Sequence, residues 1–110
     1  MNNLLSPNLF FTKVHNENND ASLRKKFYEE LKHAENEAVA NYSHSILIGN
    51  NQKKLKIKID PNWKKEYLED ACRIYKSNGW NCVSFHFDNT KSIDGNWIII
   101  IDTSKNIMSV

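Results

Sequence analysis

Trp97-Ile98-Ile99-Ile100-Ile101 decides the fold. Side chains alternate between the two faces of a strand, so five apolar residues in succession are apolar on both faces. A strand of that kind belongs in the middle of a sheet, with a neighbour on either side. Upstream of it, "DNTKSIDGN" (88–96) is a turn region whose sharpest signal is Asp94-Gly95. Downstream, residues 105–110 read as a tail.

The candidate neighbours alternate more cleanly. In "KKLKIKID" (53–60), Leu55, Ile57 and Ile59 point one way and Lys54, Lys56 and Lys58 the other. In "GWNCVSFHFD" (79–88), Val83, Phe85 and Phe87 alternate with Cys82, Ser84 and His86. Placing the isoleucine run between these two segments makes each pairing antiparallel with short connections. "SILIG" (45–49) is a further short apolar run, set off by a turn at "NNQ", and reads as another strand.

Two helices complete the pattern. Asp20 can cap the first, which runs to about Tyr42 with Leu23, Phe27, Leu31, Ala34 and Ala38 as its apolar stripe. Its other face is mixed charge, the pattern of a solvated surface. Asp60-Pro61 starts the second. Trp63, Tyr67, Ala71 and Ile74 form its stripe, widened by Leu68, Cys72 and Tyr75, and Gly79 fits a left-handed C-cap. The expected architecture is a single α+β domain over residues 20–104. It has a four-stranded, mainly antiparallel sheet in the order 1-2-4-3, with two helices packed on one face. Residues 1–19 form an N-terminal arm that ends in a loop at "NENN" (16–19) and carries Leu4, Leu5, Leu9, Phe10, Phe11 and Val14. A Phe10-Phe11 pair exposed on a monomer points to a docking surface.

Composition narrows the function. The chain has 110 residues, 40% hydrophobic and 25% charged, an ordinary balance for one globular domain. Its net charge of +2 is too small to signal nucleic acid by itself. The 13 lysines against 2 arginines disfavour bidentate reading of phosphates or bases. Cys72 and Cys82 form no Cys-x-x-Cys and read as free, buried thiols of a reducing compartment. The first residues lack the pattern of a signal peptide. No apolar run approaches the roughly 20 residues of a membrane span. The expected protein is soluble and intracellular.

Cys82, Ser84, His86 and Asp88 invite a catalytic reading, which strand geometry argues against. Residues four apart on a strand lie roughly 13 Å apart, whereas a nucleophile and its base need contact. No glycine elbow presents the serine. A zinc site from Cys72, Cys82, His86 and His44 lacks any common ligand spacing. The carboxylates sit on helix surfaces or in turns, and no phosphate-binding or dinucleotide motif is present. The reading is a non-enzymatic protein without metal or cofactor. A sheet face bearing Lys54, Lys56, Lys58, Trp80, Ser84 and His86 could take single-stranded nucleic acid by stacking and phosphate contact. The stronger account of the lysines is protection of a sheet edge. The binding residues expected are Phe10 and Phe11 of the arm, together with Lys54, Lys56, Lys58, Trp80, Ser84 and His86. The two-sided isoleucine strand requires a cover for the second sheet face, supplied by the arm or by a second subunit in a homodimer.

The stretch "KLKIKIDPNWKKEYLEDACRIYKSNGWNCVSFHFD…NWIIIID" resembles small accessory proteins of tailed bacteriophages. The likeness lies in the amphipathic helix Leu23 to Ala38, the strand Leu55 to Ile59, Gly79-Trp80 closing a helix, and the aromatic-isoleucine run Trp97 to Ile101. The 16 Asn, 13 Lys and 11 Ile fit an AT-rich genome of that kind. The resemblance implies a protein that acts by binding, as an inhibitor of a host or host-defence protein in the host cytoplasm, or as a minor component of the virion. It carries no catalytic pattern and transfers no site residue.

Overall fold

The protein is described from a computed structural model, over residues 6–50, 52–89 and 95–104. Within them the element order is α1 (Pro7–Asn18), α2 (Asp20–Leu47), β1 (Lys54–Ile59), α3 (Lys65–Ser77), β2 (Val83–Asp88) and β3 (Asn96–Asp102). The expected turn at Asp94 and the tail at 105–110 lie outside the described residues, as do Leu4 and Leu5.

The sheet is antiparallel with three strands in the order β1-β3-β2, so the isoleucine run is central. Pairing sets Leu55 opposite Ile101, Ile57 opposite Ile99 and Ile59 opposite Trp97; on the far side Val83, Phe85 and Phe87 meet the same three β3 residues. Directly opposed residues share a face. That face therefore carries Leu55, Ile57, Ile59, Ile99, Ile101 and Val83, all buried. α2 adds Phe27, Leu31 and Ala38, and α3 adds Tyr67, Leu68, Ala71, Cys72 and Tyr75 to the same core. Both long helices thus lie on one side of the sheet.

The sheet has three strands, not four. Residues 45–47 continue α2, which is 28 residues long, or about 42 Å. Periodicity cannot separate a short apolar run in a helix from one in a strand. The helix ends in a Schellman pattern: Gly49, at φ 91°, donates to the Ile46 carbonyl, and Asn50 donates to Ser45. Gly79 closes α3 in the same way, donating to Lys76 while Trp80 donates to Tyr75. The signal read correctly at Gly79 stood also at Gly49.

The arm is likewise not a loop. Pro7 suits a first helical turn, and Ser6 caps it, its hydroxyl accepting from the Leu9 amide at 3.1 Å. Helix continues through "NEN" to Asn18. The break falls at Asn19, extended at φ −73° and ψ 161°. The Asn19 side chain accepts from the Ser22 amide at 2.9 Å, so Asn19, not Asp20, caps α2. α3 begins at Lys65 rather than at Pro61. The Asp60 carboxylate accepts from the Asn62 amide at 2.8 Å and holds a turn there. Trp63 lies in that turn, yet its ring still packs on Phe27 at 5.5 Å.

Candidate functional site

Two surfaces follow from this packing. The first is α1. Leu9, Phe10, Phe11 and Val14 are 39%, 45%, 67% and 41% exposed. Val14 is one turn from both Phe10 and Phe11, whose rings meet edge to face at 5.1 Å. A single exposed apolar residue is ordinary, but Phe10, Phe11 and Val14 share one side of this helix and make a patch there, with Leu9 on another side.

The second is the sheet face away from α2 and α3. Pairing lays it out in rows: Lys54 with Asp102, Lys56 with Ile100 and Ser84, Lys58 with Ile98 and His86. The three lysines, Ser84 and His86 are exposed. Ile98 is 6% exposed, yet it stands outside the core cluster, on this opposite face. Lys56 and Lys58 also line a cleft with Glu37 and Asn41 of α2. Trp80 does not join this face: it packs against the core. Its backbone closes the end of α3, and that directs its ring to the helix side.

No catalytic arrangement assembles from the polar residues of β2. Cys82, Ser84 and His86 follow one another along one strand face, with Cys82 and His86 about 13 Å apart. Cys82 is exposed rather than buried as expected, because it precedes the strand at the rim of the sheet. With Lys54, Lys76, Asn81, Ser84, Ile100 and Asp102 it lines a hollow of about 350 Å³ of mixed polar and apolar character. Cys72 is buried, and burial raises its thiol pKa, which keeps it protonated and inert. Among the described residues no group of three His, Cys, Asp or Glu side chains is placed to hold a metal ion. No helix of the described residues is long and apolar enough to cross a membrane.

The ionic contacts are instead structural. Arg24 pairs with Asp20 at 2.7 Å and reaches across to Asp70, which also meets Arg73. The Arg24 guanidinium lies 4.9 Å above the Tyr67 ring. Its hydrogen bond to Asp20, and then that of the Tyr67 hydroxyl, hold the Asp20 carboxyl below its ordinary range. Glu30 accepts from the Asp60 amide at 2.9 Å and from the Trp63 indole at 3.1 Å, which fixes the turn before α3 against α2. Sequence reasoning treated these charges as a solvated helix surface. The local spacings Asp20-Arg24 and Asp70-Arg73 were the available hints, the second matching the expected helix-surface pairs of α3. The links between the two helices join residues distant in sequence.

Two further features escaped the sequence reading. Ile46, Leu47 and Ile48 are 54%, 84% and 61% exposed at the end of α2, where a strand had been expected to bury them. Between α2 and α3 runs a groove of about 210 Å³, lined by Tyr28, Leu31, Glu35, Ala71, Ile74 and Tyr75. No protein-family model matches the chain, and no curated protein or solved structure matches it significantly.

Proposed function

We propose that this chain is a small non-enzymatic binding protein of the phage accessory type, which attaches to a host protein and inhibits it. The observation that carries the reading is α1: a capped helix that leaves Phe11 largely exposed and Phe10 and Val14 partly so. Burying a Phe or Leu side chain is worth about 1.5–3 kcal/mol. A helix with exposed apolar side chains can dock them into a groove on a partner. Phe10, Phe11 and Val14 are the anchors. The domain behind α1 holds it through α2.

The test is a tagged pull-down from host lysate with and without nuclease, read by mass spectrometry. One stoichiometric protein that survives nuclease, and is lost with Phe10→Ser/Phe11→Ser, supports the reading. Retention of that protein by the double variant overturns the choice of α1. The exposed Lys54, Lys56 and Lys58 row motivates a second reading, a nucleic-acid face. It predicts nuclease-sensitive, salt-sensitive binding that is lost when all three lysines become glutamate. Binding unchanged between low and moderate salt rules it out.

A further inference from the structure

The two edges of the sheet are built differently. Thr103 donates to the Lys53 carbonyl and Asp102 to the Cys82 carbonyl. Main-chain bonding alternates along an antiparallel pair. With the observed register, odd-numbered β3 residues therefore bond to β1 and even-numbered ones to β2. The residues whose N–H and C=O face outward are then Lys54, Lys56 and Lys58 on β1, but Val83, Phe85 and Phe87 on β2. Lysine at outward positions is a known guard against edge-to-edge pairing. The β1 edge has that guard, and α2 packs beside it. The β2 edge, "VSFHFD", has neither lysine nor proline, and its pairing with β3 is regular throughout. Phe87 is 44% exposed there, held by the Trp97 ring at 5.3 Å and by close approach to Gly95.

We infer that β2 pairs antiparallel with β2 of a second copy of this chain, joining the two sheets into one across a two-fold axis at Phe85. The occupant follows from self-complementarity. Centring the pair on Phe85 sets Val83 against Phe87 of the other copy, and all three outward main chains come into hydrogen-bonding register, about six bonds in all. Ser84 then stands beside His86 of the other copy, so no like charges oppose one another along the strands. Asp88 falls opposite Cys82 of the other copy, at the hollow lined by Lys54, Lys76 and Asp102. The carboxylate is thereby brought to a site with two lysines and one aspartate on each side of the axis. The seam lies on residues distinct from the α1 patch, so it stands or falls independently of the proposed function.

The experiment is sedimentation of the full chain over a range of concentrations. A concentration-dependent dimer is expected. Ser84→Lys/His86→Lys, at two exposed positions, places lysine beside lysine across the seam and shifts the chain to monomer, with its circular dichroism retained. In a Cys82→Ser background, Ser84→Cys/His86→Cys sets each new thiol at a non-hydrogen-bonded cross-strand position, where Cα atoms approach to about 4.5 Å. Mild oxidation then yields a covalent dimer, and Lys56→Cys/Lys58→Cys on β1 does not. A wild-type monomer at every concentration overturns the inference. So does a dimer indifferent to the lysine pair, or one lost instead with Phe10→Ser/Phe11→Ser.

Discussion

The Tyr75 hydroxyl donates a hydrogen bond of 2.8 Å to Glu35 Oε1, joining α3 to α2 across 40 positions of sequence. The bond crosses the groove between the helices, and both groups belong to its lining. Tyr75→Phe keeps the ring and deletes the bond. The expected loss is about 1 kcal/mol, read as a lower urea midpoint at unchanged slope. No change in midpoint would show that water replaces the tyrosine at no cost.

The same contact sets a pH dependence. Burial first, and then the bond to Glu35, push the Tyr75 hydroxyl well above the ordinary phenol range. Tyr67 is raised by burial and by its bond to Asp20. A raised folded pKa contributes stability that is full below the unfolded value, about 10, and declines as pH rises above it. Asp20 is lowered, so its contribution is present above the ordinary carboxylate value of about 4 and fades as pH falls. Urea midpoints should therefore fall on both limbs. The alkaline limb should be shallower in Tyr75→Phe, and an identical slope there would refute the assignment.

Gly49 tests the helical reading of residues 45–49. At φ 91° an L side chain is strained, yet nothing lies within 4 Å of a Cβ built there. Gly49→Ala should cost about 1 kcal/mol through the backbone alone. Were 45–49 a strand, alanine would be neutral, and thermal unfolding of the variant separates the two cases.

Ile99 and Phe11 make opposite ends of one comparison. Ile99 is 0% exposed at the centre of the sheet, whereas Phe11 is 67% exposed on α1. Ile99→Ala should destabilise by about 3 to 4 kcal/mol. Phe11→Ala should stay within about 0.5 kcal/mol in stability, whatever it does to binding. A large stability loss in Phe11→Ala would make α1 part of the core.

Local pattern was enough for several elements. "KLKIKI" alternates because one face is buried and the other is wet, and the unbroken isoleucines report neighbours on both sides. In α3 the period was legible at Tyr67, Leu68, Ala71, Cys72 and Tyr75, and so was the glycine that ends the helix, because period and cap are properties of adjacent residues. Ile74, expected in the same stripe, is instead 46% exposed, and Trp63 precedes the helix. Phe10 and Phe11 stood out as apolar residues without a local use, though not as part of a helix.

Tertiary structure decided the rest. The run at 45–49 fits helix or strand equally by hydropathy; α2 simply continues, and without a sheet neighbour its apolar residues remain exposed. Trp80 alternates as if it belonged to the lysine face, but the turn after α3 sends it to the core. Neither the ionic link from Arg24 to Asp70 nor the Glu30 bonds to Asp60 and Trp63 has a sequence signature, since each spans tens of residues and exists only once α2 and α3 are packed. Sequence by itself determined which faces are apolar, because burial is written residue by residue. Which charges pair, and which strand edge is left unguarded, depended on register and crossing, which are set only when the elements meet.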